Sequence, residues 1–214
     1  MIKVEYLKEA CDLKITVLLC SHRRNKNTRQ MADFFLEGLK EGNDIEFVDL
    51  LDKKIEICLA CDYCRRNYGH CILKDDMEGV IDIFKKSDLI VLATPLYFNS
   101  VTSRFKIFID RTQILYNAKY NFKDPIFKEK KSVVILSNGG APKYLGQFDG
   151  IMVELKHFLG NINADVLEYL KYNKTDEVMI RDNKAAASEL KKAGIKVREA
   201  LSQQKDAGSH DDHS

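Results

Sequence analysis

The sequence predicts an α/β fold: a doubly wound, five-stranded parallel sheet with helices on both faces. Short apolar runs of strand length alternate along the chain with segments whose apolar residues recur at helical spacing. Strands that alternate with helices pair in parallel through right-handed crossovers, and the helices cover the sheet. We expect the strand order 2-1-3-4-5, which brings the loops after strands 1, 3 and 4 to one edge.

The first strand and helix are the clearest elements. Ile15 to Leu19 is a β-branched and leucine-rich run, typical of a strand buried on both faces. From Thr28 the apolar residues recur at helical spacing, and Gly42 with Asn43 ends that helix. Ile45 to Leu50 alternates with charged residues, which predicts a second strand at the outside of the sheet.

Three further strands complete the predicted sheet, and a helix follows each of them. Two connections have no periodicity: residues 53–75 hold a group of cysteines, and Tyr116 to Lys131 interleaves aromatic residues with charges. Irregular connections of this length are more often functional than idle. The remaining predicted strands are Leu89 to Ala93, Val133 to Leu136 and Val166 to Leu170. The remaining helices are marked by Val80, Ile81 and Phe84, by Phe105, Phe108 and Ile109, and by Phe148, Ile151, Met152, Leu155 and Leu159, and the last helix runs from Asp182 to Leu201.

Length and composition limit the class of protein. With 214 residues and 45% hydrophobic content, we expect residues 1–201 to form a single domain and residues 202–214 a polar, disordered tail. The 34 basic and 32 acidic residues nearly balance, with a formal charge of +2, and the basic residues are scattered except for short groups. This composition does not support nucleic-acid binding. No apolar run is long enough for a bilayer and the first ten residues lack a signal-peptide core, so we expect no membrane contact and a cytoplasmic location.

Three polar loops are predicted to meet at the ligand-binding edge of the sheet. The first offers hydroxyl, amide and guanidinium groups at a helix N-terminus, where an anion binds well, although Asn27 or Thr28 could simply cap the helix. The second has a rigid proline followed by two aromatics, and the third a Gly-Gly turn that a flat ring can approach closely. Together they suit FMN. The candidate contacts are Ser21, Arg23, Asn27 and Thr28, then Pro95, Leu96, Tyr97, Phe98, Asn99 and Ser100, and then Asn138, Gly139 and Gly140.

Four of the six cysteines crowd into one loop with the spacing C-x2-C-x2-C-x6-C. Zinc sites usually separate two C-x2-C pairs by a dozen or more residues, whereas here adjacent pairs share the middle cysteine. Successive x2 gaps let a chain wrap a cubane cluster, as in ferredoxins. The spacing favours a [4Fe-4S] cluster, with zinc or free thiols as alternatives. The candidate ligands are Cys58, Cys61, Cys64 and Cys71.

Three segments resemble the NADPH-dependent FMN reductase and iron-sulfur flavoprotein family. The S-x-R-x-N-x-N-T loop of residues 21–28 is similar to the family's phosphate loop, G-S-P-R-x-x-G-N-T. TPLYFNSVTSRFKIFIDR, residues 94–111, resembles S-P-x-Y-F-G-S-x-x-x-x-x-K-x-F-I-D-R, and the cysteine spacing is similar to that of iron-sulfur flavoproteins. The departures are Cys20, His22 and Lys26 for Gly, Pro and Gly in the first segment, and Asn99 for Gly in the second.

The resemblance implies a flavodoxin-like fold and a flavin-dependent oxidoreductase that moves electrons between a donor, FMN and a [4Fe-4S] cluster. It implies NAD(P)H or reduced ferredoxin as the donor and a small-molecule electron acceptor such as oxygen, peroxide or a quinone. No Ser-His-Asp or paired-carboxylate arrangement is visible in the loops, so we predict no catalytic side chain and expect Tyr97 and Phe98 to contact the flavin. The alternatives are a cluster-free NAD(P)H-dependent FMN reductase and a non-enzymatic redox-sensing flavoprotein.

The two irregular connections also predict self-association. The cysteine loop and the aromatic segment Tyr116 to Phe127 are expected to project from a small domain. The resemblance implies flavins near subunit contacts, and we therefore expect a homodimer or homotetramer.

Overall fold

A computed structural model describes residues 13–39 and 42–208 of the chain. Five parallel strands form one sheet in the order β2-β1-β3-β4-β5, which confirms the predicted topology. The strands are β1 (Lys14–Leu19), β2 (Asp44–Asp49), β3 (Leu89–Pro95), β4 (Lys131–Asn138) and β5 (Ala164–Tyr172).

Helices cover both faces of the sheet. Two separate layers of buried apolar side chains lie between the sheet and its helices, one on each face. β3 and β4 are buried almost throughout because they lie between these two layers. The α-helices are α1 (Asn27–Glu37), α2 (Tyr63–Arg66), α3 (Met77–Lys86), α4 (Ser103–Arg111), α5 (Gln113–Tyr116), α6 (Asp149–Asn161) and α7 (Lys184–Gly208).

Four segments differ from the predictions. The connection after residue 116 is not irregular throughout, because a π-helix (Asn117–Asn121) continues directly from α5. The cysteine loop contains the short helix α2, and a 3-10 turn (Ile180–Asp182) precedes α7. α7 itself continues to Gly208, so the part of the expected tail up to that residue is helical, and residues 209–214 lie outside the described residues.

Two glycines let α7 pack directly on α1. A Cβ built on Gly194 would stand 2.2 Å from the carbonyl oxygen of Phe35, and one on Gly38 would stand 2.1 Å from that of Lys191. Neither position has room for a side chain. The close contact holds α1 firmly, and α1 carries the first candidate loop at its N-terminus. Within the described ranges, no helix is long and apolar enough to cross a membrane.

Candidate functional site

The loops after β1, β3 and β4 meet at the carboxyl edge of the sheet, and a fourth loop joins them. A pocket of about 240 Å³ lies between them, and Thr175 and Asp176, from the loop after β5, form part of its wall. No sequence motif marks that fourth loop, and the candidate residues did not include it. The candidate residues that line the pocket are Ser21, Arg23, Asn27, Thr28, Pro95, Leu96, Tyr97, Asn138 and Gly140.

The N-terminus of α1 gives the pocket a positive end. Lys26 is the N-cap residue, no side chain caps the helix, and its first turn has no acidic residue. The first backbone N–H groups of the helix therefore have no intrahelical acceptor and remain available to an anion. Lys26 and Arg23 add full positive charges to the same wall. Arg24 does not join them, because its guanidinium forms ion pairs with Asp49 and Asp52.

Asn27 and Thr28 line the pocket, but their side chains are already hydrogen bonded within the protein. The Asn27 amide donates to the carbonyl oxygen of Thr175 at 3.0 Å and accepts from the N–H of Ile180, also at 3.0 Å. The buried Thr28 hydroxyl donates to Oδ1 of Asn138 at 2.8 Å. Neither residue caps α1, so the capping alternative is wrong. Both instead connect the first loop to the ends of β4 and β5.

The loop after β3 is a tight turn in a strained conformation. Tyr97 and Ser100 exchange backbone hydrogen bonds of 2.9 Å in both directions. Between them, Phe98 and Asn99 have φ angles of +47° and +61°, which a phenylalanine rarely adopts. Such strain concentrates at functional sites, where the surrounding structure enforces it.

Two neighbours enforce this turn. The hydroxyl of Tyr144 donates to Oδ1 of Asn99 at 2.5 Å. Gly150, in the first turn of α6, lies so close that a Cβ there would stand 2.0 Å from the Asn99 carbonyl oxygen. The side chain of Phe98 is fully exposed and Asn99 is also exposed. Of the two aromatics expected to contact a flavin, only Tyr97 faces the pocket, and Phe98, Asn99 and Ser100 are not in its wall.

The Gly-Gly turn after β4 is crowded by protein. A Cβ on Gly140 would stand 2.0 Å from a carboxylate oxygen of Asp176, and one on Gly139 would stand 3.3 Å from the side chain of Leu96. Gly140 lines the pocket, whereas Gly139 lies just behind it. These glycines therefore let the loops after β3, β4 and β5 pack closely together. The need for glycine here comes from neighbouring protein atoms, in addition to the expected approach of a flat ring.

All four predicted cysteines line a second, larger cavity of about 720 Å³. Cys58 and Cys61 are exposed, whereas Cys64 and Cys71 are half-buried, and all four are free thiols. Burial raises the pKa of the Cys64 thiol. Within residues 13–39 and 42–208, no three His, Cys, Asp or Glu side chains lie close enough to hold one metal ion. The cysteines therefore share a cavity without forming a ready mononuclear zinc site.

A buried ion pair closes the inner wall of this cavity. The Arg111 guanidinium donates to both carboxylate oxygens of Asp75, at 2.5 and 3.1 Å, and to the carbonyl oxygen of Glu56 at 2.8 Å. Burial opposes the charge on Asp75, but the Arg111 hydrogen bonds and two backbone N–H groups prevail and lower its pKa. Burial likewise opposes the Arg111 charge, but the hydrogen bonds to Asp75 and the nearby Cys71 side chain together raise its pKa.

The π-helix forms another wall. The amide of Asn117, which is buried, donates to Sγ of Cys64 at 3.2 Å. Asn121 donates from the same element to the carbonyl oxygen of Arg65 at 2.8 Å. π-helical turns are rare and are frequent at functional sites. Neither asparagine was singled out from the sequence, because a π-helical turn has no recognisable pattern in a single chain.

A protein family and several curated proteins resemble this chain in sequence. The family model described as NADPH-dependent FMN reductase matches residues 13–149. An iron-sulfur flavoprotein of Archaeoglobus fulgidus is 33% identical over 132 residues, which cover 61% of this chain and 58% of that protein. A second, from Methanosarcina thermophila, is 28% identical and covers 61% of this chain and 68% of its own length. The chain spans a little over half the length of the first curated relatives it matches.

Solved structures share the fold. An NAD(P)H:quinone oxidoreductase from Methanothermobacter marburgensis superposes with a TM-score of 0.68 at 17% identity, covering 87% of this chain and 96% of that one. At this identity the likeness concerns the fold alone. Together with the strand order, it identifies the fold as flavodoxin-like.

Proposed function

The chain belongs to the NADPH-dependent FMN reductase family, and from this premise we propose that it is an FMN-dependent oxidoreductase of the iron-sulfur flavoprotein type. The observation that carries the proposal is the pocket at the N-terminus of α1. Four loops converge there on a helix end that has no acidic residue and no side-chain cap, with Arg23 and Lys26 in the wall. A terminal phosphate fits such a site in charge and in hydrogen bonding.

The described residues fit the rest of FMN in outline. The ribityl chain and flavin ring would run from the phosphate end along Pro95 to Tyr97 and the Asn138 to Gly140 turn. Bound FMN supplies hydride acceptance at N5 and electron release in single steps, so the protein has to bind, orient and shield it. The strained turn at Phe98 and Asn99 would hold the adjoining segment from Pro95 to Tyr97 at a fixed position.

We further propose that the cysteine cavity holds a [4Fe-4S] cluster. The fit rests on three features of this chain: four free thiols lining one cavity, an amide hydrogen bonded to one of the sulfurs, and a buried Arg111 Nε with no hydrogen-bond partner among the described residues. A cubane takes each thiolate at a different iron, so the sulfurs need not converge on one point. Resident in that cavity, a cluster would supply one-electron transfer.

Family likeness also supports proposals for the partners. NAD(P)H or reduced ferredoxin would be the electron donor, and a small molecule the acceptor. Exposed apolar side chains around the cysteine cavity, among them Ile57, Leu59 and Tyr120, favour a homodimer or homotetramer. Light scattering of flavin-loaded protein at micromolar concentration should give at least twice the chain mass of 24.6 kDa. A monomer mass under those conditions would contradict the assembly alone.

The alternative is a cluster-free, NAD(P)H-dependent FMN reductase. The exposure of Cys58 and Cys61 is the observation that favours it, because exposed thiols need no metal. Iron and acid-labile sulfide analysis of anaerobically purified protein separates the two. About four of each per chain is the expected result for a [4Fe-4S] cluster, and their absence would leave the flavin reductase in place.

Flavin binding itself is tested with two arginines that are adjacent in sequence. Arg23→Ala removes a charge from the pocket wall, whereas Arg24→Ala removes one that is paired with Asp52 outside that wall. A charge-assisted hydrogen bond contributes about 1.5 to 3 kcal/mol, so Arg23→Ala should weaken FMN binding at least about tenfold. Arg24→Ala should change it less than about threefold, the effect of losing an exposed ion pair. Equal effects of both substitutions in fluorescence titrations would contradict the phosphate assignment.

A further inference from the structure

Asn117 occupies an unusual position in the wall of the cysteine cavity. It is the first residue of the π-helix, and its side chain is buried. Its Nδ2 donates two hydrogen bonds, one to Sγ of Cys64 at 3.2 Å and one to the carbonyl oxygen of Gln113 at 2.9 Å. The Gln113 contact fixes the amide orientation. The second hydrogen is thereby directed at the sulfur.

Arg111 provides a second donor on the same cavity. Its side chain is almost completely buried, and Asp75 and the Glu56 carbonyl hold the two terminal nitrogens in place. The remaining donor, Nε, is buried and has no hydrogen-bond partner in the described part of the chain. An unpaired buried N–H costs free energy, about 1 to 3 kcal/mol, and therefore calls for an acceptor. Both Arg111 and Cys71 line the cavity and their side chains interact, so the Cys71 sulfur is the acceptor we assign to this N–H.

We propose that Asn117 and Arg111 are positioning residues that donate hydrogen bonds to sulfur in this cavity and raise the reduction potential of the cluster held by the cysteines. The inference rests on the proposed cluster and adds to it a role for residues that are not ligands. Asn117 acts on the Cys64 thiolate. Arg111 acts at the Cys71 side, either on that thiolate or on a cluster sulfide beside it.

The direction of the effect follows from charge. An N–H directed at a thiolate draws electron density from the sulfur, which favours the more negative, reduced form of the cluster. The buried position strengthens this effect, because the local dielectric constant is lower than in water. Asp75 balances the charge of Arg111, so the main contribution of that residue is the local Nε–H dipole. Removing either donor should therefore lower the potential.

The test compares two asparagines of one π-helix. Asn117→Leu keeps the approximate volume and removes the donor to Cys64, whereas Asn121→Leu removes a hydrogen bond to the Arg65 backbone that also secures the cysteine loop but touches no sulfur. Anaerobic redox titration followed by visible absorption and electron paramagnetic resonance reports the potential. For Asn117→Leu we expect at least a tenfold fall in the reduced-to-oxidised ratio at fixed ambient potential, equivalent to 59 mV for one electron. Asn121→Leu should leave the ratio within about twofold.

Iron and sulfide analysis accompanies each titration and separates the possible failures. Wild-type protein without iron and sulfide overturns the cluster and this inference with it. A full cluster in all three proteins with equal potentials overturns the inference and leaves the cluster in place. If Asn117→Leu assembles no cluster, the smaller Asn117→Ala takes its place. For Arg111, the double variant Arg111→Met/Asp75→Asn removes the Nε–H donor together with the buried ion pair, and an unshifted potential there overturns the role of Nε.

Discussion

Gly150 offers the sharpest test of how the loop after β3 is held in place. It lies in the first turn of α6, outside the pocket, and a Cβ at this position would stand 2.0 Å from the carbonyl oxygen of Asn99. Ordinary van der Waals contact begins at 3.4 Å, so Gly150→Ala requires a displacement of more than 1 Å between α6 and the turn. The opposing atom is backbone, which cannot rotate away as a flexible side chain can.

The magnitude follows from the cost of overpacking. Forcing an extra methyl group into a close contact costs about 1 to 3 kcal/mol. α6 is anchored by the buried side chains of Ile151, Leu155 and Phe158, whereas the turn is exposed and already strained. The turn should therefore yield, and the loop from Pro95 to Tyr97 should move with it. If the cost appears wholly in flavin binding, the FMN dissociation constant rises about five- to 150-fold.

Gly160 in the same helix is the matched control. A Cβ there would meet nothing within 4 Å, so Gly160→Ala should leave FMN affinity within about twofold and, as an alanine in a helix, stabilise the fold by about 0.5 to 1 kcal/mol. Isothermal titration with FMN and thermal unfolding by circular dichroism measure both quantities. A folded Gly150→Ala protein with unchanged FMN affinity would refute the argument that this contact positions the loop.

The remaining predictions concern the turn, the ion pair and the helix contact. Tyr144→Phe removes the 2.5 Å hydrogen bond to Asn99. Because a neutral hydrogen bond contributes about 1 kcal/mol, FMN binding should weaken up to about fivefold in a fluorescence titration. Unchanged FMN affinity would mean that this hydrogen bond does not hold the turn. The folded-state pKa of Asp75 is lowered, so its stabilisation is present above the unfolded pKa of about 3.9 and is lost as pH falls through the folded value. Asp75→Asn should cost about 3 to 5 kcal/mol near neutral pH, and urea unfolding should show the difference from wild type narrowing below about pH 4; a constant difference would contradict the linkage. Gly194→Ala should destabilise the fold by about 1 to 3 kcal/mol, because the new Cβ would stand 2.2 Å from the Phe35 carbonyl oxygen. Gly79→Ala is the control and should not destabilise the fold, because a Cβ there meets nothing within 4 Å. Equal unfolding midpoints of the two variants would refute the close contact between α7 and α1.

The sheet was predictable because its signal is local and strong. Continuous apolar runs such as Leu89 to Ala93 leave few other readings, and the alternation in β2 correctly indicated an edge strand. Helix limits were less accurate. α7 passes Leu201 because the following residues, although polar, have no helix-breaking residue before Gly208.

The candidate pocket was predicted in position but only partly in its contacts. The predicted strand order brought the loops of Ser21, Arg23 and Asn138 to one edge of the sheet, and the three residues line the same pocket. The sequence did not indicate that the Asn27 amide would bind Thr175 and Ile180, because those contacts span about 150 residues of sequence and depend on how the β5 loop returns. The Phe98 side chain, which we expected to contact the flavin, is fully exposed, and residue type did not indicate the left-handed backbone conformation of this residue.

Cys20 illustrates how the chain tolerates its departures from the family loop. The family has Gly at this position, yet the Cys20 side chain is buried in the core under α3 and α4, and burial raises the pKa of its thiol. Its backbone N–H donates to the Ala93 carbonyl oxygen at 2.9 Å, and its own carbonyl accepts from the Thr102 hydroxyl at 2.7 Å. The loop therefore leaves β1 along a path fixed by β3 and α4. A side chain at position 20 is compatible with that path because it points away from the pocket.

The cysteine cavity depends on more of the fold than its ligands. Its walls come from the cysteine loop, from α4 through Arg111 and from the π-helix through Asn117 and Asn121. The loop is held by hydrogen bonds from these elements to Glu56, Cys64 and Arg65. A C-x2-C-x2-C-x6-C spacing can identify which thiols are available, but the donors that would tune a cluster come from residues about 40 to 60 positions away. Spacing alone therefore cannot distinguish a cluster site from free thiols, and iron and sulfide analysis of the protein is the measurement that decides between them.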